Sequence, residues 1–240
     1  MIVVPVIDIM NGLAVHAVRG ERSRYKPLES ILCRSTDPIE VASTFSKIGF
    51  SLVYVADLDA ILYRMRSLDL YEKMKSTVKH MMLDSGVRSY NECIDLLSLD
   101  IDYIVVGSET FESISELLSL LESYSDRLIV SVDLMNGQIL SPIQSIRRLS
   151  VEEYIAMLIK YGLSSAIVLE LSKVGSGLGI DIDTVRRLVP LVDRLYVGGG
   201  LRSIEEIDRL RDIGIYGVLV ATALHKGWIN VDDLKYRGYI

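Results

Sequence analysis

Val4-Pro5-Val6-Ile7-Asp8-Ile9-Met10-Asn11-Gly12 opens this chain, and Ile129-Val130-Ser131-Val132-Asp133-Leu134-Met135-Asn136-Gly137 returns just past its middle. Each stretch is an apolar run, one Asp, an apolar pair and then Asn-Gly. Val and Ile favour strand, and Asn-Gly favours a turn with positive φ. An apolar strand that ends in a carboxylate and then turns holds that carboxylate at its C-terminal mouth. Two such strands, half a chain apart, would set Asp8 and Asp133 on opposite sides of one mouth.

The composition supports a soluble globular protein. Half of the 240 residues are apolar, 24% are charged, and the formal net charge is −6. Acidic balance without Lys/Arg clusters argues against a nucleic-acid partner. Cys33 and Cys93 stand outside any CxxC spacing, and His16, His80 and His225 show no ligand spacing, so neither a disulfide framework nor a metal is expected. No apolar run approaches the roughly 18–20 residues of a membrane span, and no charged leader precedes the first strand. The expectation is a cytoplasmic protein without membrane contact; the sequence does not fix its oligomeric state.

Along the chain, β-rich runs alternate with helical ones. Strands are expected at 2–8, 52–56, 80–83, 102–106, 127–132, 166–170, 194–197 and 216–220. Helices are expected from Pro38 to Gly49 and at 67–76, 89–97, 112–122, 151–161, 182–189 and 203–213. Residues 11–37 read as a long polar loop. Eight strands alternating with helices argue for an α/β fold, a TIM (β/α)8 barrel. No composition break marks a linker, so one domain is expected over 1–240. The repeat extends beyond the Asp segments. Lys47-Ile48-Gly49-Phe50-Ser51 answers Lys160-Tyr161-Gly162-Leu163-Ser164, and Ser85-Gly86-Val87-Arg88-Ser89 answers Gly199-Gly200-Leu201-Arg202-Ser203. Two (βα)4 half-barrels follow, about 1–125 and 126–240, neither able to bury its sheet alone.

In such barrels chemistry sits at the C-terminal ends of the strands. Asp8 and Asp133 are the candidate catalytic pair, since two carboxylates in different surroundings can divide acid and base roles. The bland alternative is that each Asp only caps its turn. Glycines lie near expected helix starts: Gly86 after strand three, Gly107-Ser108 after strand four, Gly175 after strand six, Gly199 and Gly200 after strand seven. Glycine lets backbone N–H groups approach an anion, so these positions are candidate phosphate contacts, although they also permit tight turns. Thr222 occupies the place after strand eight that Ser108 holds after strand four. Arg19 is a candidate for an anionic substrate or a solvated loop residue. Asp57 and Glu170 hold matching strand ends and could orient Asp8 or Asp133. Trp228 reads as packing.

Pro5-Val6-Ile7-Asp8, Gly12…Arg19-Gly20, Val55-Ala56-Asp57-Leu58-Asp59-Ala60, Gly86-Val87-Arg88-Ser89, Val106-Gly107-Ser108, Ser131-Val132-Asp133 and Gly199-Gly200 together resemble the histidine-biosynthesis barrels. That family comprises the phosphoribosylformimino-aminoimidazole carboxamide ribotide isomerase and the cyclase of imidazole glycerol phosphate synthase. The resemblance spans the chain, and Val6, where the cyclase usually has Cys, leans to the isomerase. It implies an Amadori rearrangement of a phosphorylated substrate without cofactor, with Asp133 as general acid, Asp8 as general base and the glycine backbones on phosphates. Departures accompany it. Leu169 and Val174-Gly175-Ser176 replace the family's Thr and Asp-Gly-Thr, Asp84-Ser85-Gly86 replaces a glycine triplet, and Ala221-Thr222 replaces Gly-Arg or Gly-Ser. No tryptophan stands between Asn136 and Ser150. Three readings therefore stay open: that isomerase, a relative acting on another phosphorylated sugar, and a non-catalytic barrel that binds a phosphorylated ligand.

Overall fold

A parallel strand covered on both faces is apolar throughout, yet its side chains still alternate between those faces. The computed structural model, which describes residues 1–240, sorts them accordingly. The eight barrel strands are β1 Ile2–Met10, β2 Leu52–Asp57, β3 His80–Asp84, β4 Tyr103–Gly107, β5 Leu128–Met135, β6 Ser165–Glu170, β7 Arg194–Gly198 and β8 Gly217–Val220. Each pairs in parallel with the next, and β8 returns to β1 with Ile2 opposite Gly217, closing a TIM (β/α)8 barrel. Ile7, Ile9, Val53, Val55, Met81, Leu83, Val130 and Val132 face outward into a layer of 57 buried residues shared with the helices. Val4, Tyr54, Met82, Val105, Ile129, Ile167, Tyr196 and Leu219 face inward and form a separate cluster along the barrel axis.

The helices are α1 Pro38–Ile48, α2 Leu58–Tyr63, α3 Leu68–Lys75, α4 Tyr90–Leu97, α5 Ile114–Tyr124, α6 Val151–Ile159, α7 Ile182–Leu188, α8 Ile204–Ile213, α9 Thr222–His225 and α10 Val231–Tyr236. All but α3 and α9 start at a side chain that takes up a first free N–H group. Asp37 precedes Pro38 and accepts from the Ile39 N–H, and Ser150 and Glu153 form a reciprocal capping box. None of the helices is long and apolar enough to cross a membrane.

The sequence repeat is a structural repeat. Asn11 and Asn136 both adopt φ 53°, each followed by a glycine of positive φ, and each turn reverses into a short antiparallel strand, Leu13–His16 and Gln138–Ile139. An acidic side chain from the neighbouring βα connection holds each turn: Asp59 accepts from the Gly12 N–H (3.2 Å) and Glu170 from the Gly137 N–H (2.9 Å).

Three expectations change. Residues 11–37 are not one irregular loop, because Leu13–His16 pairs with both β1 and Lys26–Pro27. Helices α2, α9 and α10 are not among the expected ones; α2 is a short helix that follows β2 without a loop. Trp228 is 45% exposed with the Lys226 ammonium over its ring, so it is a surface residue rather than core packing.

Asp57 and Glu170 do not orient the candidate catalytic pair, and alternation is the reason. Each lies one residue beyond an inward position, Ala56 or Leu169, and so turns away from the axis. Asp57 instead caps α2, accepting from Asp59 and Ala60 N–H at 3.0 and 3.1 Å and from the Tyr71 hydroxyl at 2.5 Å. Glu170 accepts from Asn136, Gly137 and Ser172. Replacing Asp57 by Ala removes a cap worth about 1 kcal/mol and strands a buried tyrosine hydroxyl at a further cost of about 1–3 kcal/mol. Urea unfolding of Asp57→Ala should therefore show a loss of about 2–4 kcal/mol; a loss below about 0.5 kcal/mol would mean that the buried pair contributes nothing.

Candidate active site

Asp8, Asp84 and Asp133 each stand two residues beyond an inward strand position, Val6, Met82 and Ser131, so all three carboxyl groups point along the axis at the C-terminal mouth. They line one cavity together with Tyr25, Tyr54, Glu109 and Arg22 on one side and Gly175, Gly177, Gly199, Gly200 and Thr222 on the other. Leu169 and Leu219 form part of its apolar floor.

The three carboxyl groups are held differently. Asp8 is half-buried and accepts no hydrogen bond from the chain, which leaves its oxygens open to the cavity. Asp133 is buried, and its carboxylate accepts from the Ser131 hydroxyl (2.7 Å) and the Glu109 N–H (3.3 Å), while its own N–H donates to the Ser108 hydroxyl (2.9 Å). Asp84 accepts from the Tyr54 hydroxyl (3.1 Å) and the Gly86 N–H (3.0 Å). Withdrawal from water and mutual repulsion favour the neutral acid. Burial, reinforced by the Asp84 charge, raises Asp8 to about 7. Burial raises Asp84 to about 6 against the opposing Gly86 hydrogen bond. Burial, with Glu109 and Asp84 adding to it, drives Asp133 well above the carboxylate range.

The first long loop lies over the mouth. The Arg19 N–H donates to the Val174 carbonyl (2.8 Å), and Arg22 bridges to Glu109 at 2.8 Å on the cavity's acidic side. Gly175 fits beneath this loop because it has no side chain: at φ 69°, a Cβ there would lie 2.3 Å from the Ala17 carbonyl oxygen.

Of the residues singled out by sequence, the structure brings Asp8, Asp133, Gly175, Gly199, Gly200 and Thr222 to one cavity. The N–H groups of Gly175, Gly199, Gly200 and Thr222 donate to nothing within the chain, so they remain open to an anion. Gly86, Gly107 and Ser108 do not reach the cavity wall. Gly86 gives its N–H to Asp84 and is pressed against α2, where a Cβ would lie 2.6 Å from the Ile61 Cα. Ser108 gives its N–H to the Ser131 carbonyl (2.8 Å). Arg19 is exposed and outside the wall; the arginine that lines it is Arg22. Sequence reasoning did not pick out Arg22, Glu109, Tyr25 or Tyr54. The Met82-Leu83-Asp84 spacing, set beside Val6-Ile7-Asp8, carries the signal that makes Asp84 a third inward carboxylate.

The whole-chain comparisons agree with this architecture. Residues 2–230 match the family described as "Histidine biosynthesis protein". An uncharacterized protein of Methanocaldococcus jannaschii is 31% identical over 98% of this chain and 97% of its own length. The 1-(5-phosphoribosyl)-5-((5-phosphoribosylamino)methylideneamino) imidazole-4-carboxamide isomerases of Caldicellulosiruptor saccharolyticus and Aquifex aeolicus are 29% and 27% identical. The former matches over 98% of both chains and the latter over 97% of both.

Raised carboxyl values fix the sign of a pH effect. A group that binds its proton more tightly when folded contributes stability that is complete below its unfolded value near 4 and is lost as pH rises through its folded value. For Asp8 that window ends at about 7. Each tenfold gain in proton affinity on folding is worth about 1.4 kcal/mol. Asp8→Asn should accordingly be about 1–3 kcal/mol more stable than the parent at pH 8 and little changed at pH 4. Denaturant unfolding at both pH values checks this, and an equal effect at the two would sink it.

Proposed function

Because the chain belongs to the histidine biosynthesis protein family, we propose that it is an intramolecular aldose–ketose isomerase acting on a phosphorylated sugar. One observation carries the reading: two inward carboxyl groups from opposite strands share a cavity but differ in state. Asp8 is open to the cavity and its surroundings raise it to about 7, as suits a general base; Asp133 is buried beside Glu109 and Asp84, which favours its neutral form, as suits a general acid. Across the cavity, the free N–H groups of Gly175, Gly199, Gly200 and Thr222 are suited to a phosphate.

Asp133 would give its proton to the ring oxygen as the sugar opens, and Asp8 would take the proton from C2. Ring opening releases the anomeric hydroxyl proton and leaves a C1 carbonyl. The pair freed from C2–H then forms a C1–C2 double bond as the carbonyl π pair moves onto its oxygen, which takes up a proton. Loss of the C2 hydroxyl proton and gain of one at C1 then complete the ketose, so no redox partner is needed. The loop bridged by Arg22 and Glu109 limits water access to this intermediate. The substrate named for the isomerase relatives is the first to test. A second reading, another phosphorylated sugar, is favoured by Asp84, whose carboxylate takes the Gly86 N–H that a second phosphate would use. We place the reaction in the cytoplasm.

Incubation in deuterated water with that ribotide and a panel of aldose phosphates tests both, because proton abstraction leaves deuterium in the sugar even where equilibrium opposes product. With a substrate so found, Asp8→Asn and Asp133→Asn should each lower kcat by about 10²–10⁴-fold. The parent kcat/KM should rise with pH towards a limb near 7, set by Asp8, and fall again as Asp133 loses its proton. If both variants keep turnover within tenfold of the parent, the acid–base assignment fails.

A further inference from the structure

The cavity is electrically lopsided. Its β6–β8 side offers unused backbone N–H groups, and a groove that shares Gly175 and Thr222 with it is lined by His16, Arg24, Lys26 and Lys226 against one carboxylate, Glu29. Its β3–β5 side is acidic, and the unpaired N–H groups nearest to it, those of Ser85 and Val87, lie outside the cavity wall. There Gly86 gives its N–H to Asp84 and Ser108 to the Ser131 carbonyl. The space beside Gly107 is also taken: the point where its Cβ would stand lies 3.1 Å from the Asp133 Oδ2 and 3.9 Å from the Asp84 Oδ2. The cationic side chain of the cavity wall is Arg22, already paired with Glu109. A phosphate on this side would face carboxylates and find no free N–H group in the cavity wall, whereas a cation would offset both the burial and the Asp84 repulsion that raise Asp8.

We infer that the ligand of this cavity carries a single phosphate, seated at the β6–β8 side, and a protonated amine at its other end, seated beside Asp84 between β3 and β5. This rests on the reading of the cavity as a sugar-phosphate site and narrows it to amino-sugar monophosphates. It excludes a ligand with a phosphate at each end, which the two phosphoribosyl groups in the isomerase relatives' name would supply.

Calorimetric titration of the whole protein at pH 7.5 with four probes tests it: inorganic phosphate, glucose 6-phosphate, glucosamine 6-phosphate and glucose 1,6-bisphosphate. Glucosamine 6-phosphate should bind at least tenfold more tightly than glucose 6-phosphate, and the bisphosphate more weakly than either. In Asp84→Asn, checked for folding by its thermal transition, the amine preference should fall to within about twofold while affinity for inorganic phosphate is kept. Equal affinities for the three sugars, or tighter binding of the bisphosphate, overturn the inference and leave the phosphate site standing. Binding of none of the four, inorganic phosphate included, overturns the phosphate site and the inference with it. The first comparison uses the parent protein alone, so an unfolded variant does not rescue the idea.

Discussion

Closing eight parallel strands into a barrel gives each strand one face on the axis and one on the helices, and no side chain can serve both. The candidate site depends on this constraint. Asp8, Asp84 and Asp133 are inward because they follow Val6, Met82 and Ser131 by two residues, while Asp57 and Glu170, one residue out of phase, are committed to capping and turn-holding. Three carboxyl groups converging on a partly dry mouth repel one another and lose solvation together. Their preference for the neutral form is therefore a consequence of strand parity before it is a feature of any reaction.

The duplicated halves illustrate how a common scaffold is specialised. Both keep the Asn-Gly reversal and an acid from the next connection to hold it, because these secure the backbone around the mouth. They differ in where their backbone donors go. After β3 and β4, the Gly86 and Ser108 N–H groups are taken by Asp84 and by the Ser131 carbonyl; after β6, β7 and β8, those of Gly175, Gly199, Gly200 and Thr222 are left open. A single carboxylate at position 84 accounts for much of the asymmetry, since it both adds charge and occupies the Gly86 donor.

The loop over the mouth is secured at two ends of different character. Arg19 joins it to the loop after β6 through backbone atoms, and Arg22 joins it to the loop after β4 through a charge pair. Partly shielded from water, the Arg22–Glu109 bridge is screened less than a surface pair would be. It also neutralises the one arginine that would otherwise offset the acidic wall.

The sequence by itself determined the barrel, its strand count, its internal repeat and the two mouth carboxylates Asp8 and Asp133. These follow from short-range facts: apolar periodicity, caps, Asn-Gly turns and an Asp at the end of a strand. It also contained the parity that makes Asp84 inward, legible once strands are aligned by their axis-facing residues. Only the tertiary structure decided which N–H groups are free, that Gly86 is pressed against α2, that Arg22 rather than Arg19 enters the wall, and that Glu109 meets it. A backbone donor's partner and a loop side chain's reach are set by neighbours distant in sequence, and local pattern carries no record of those distances.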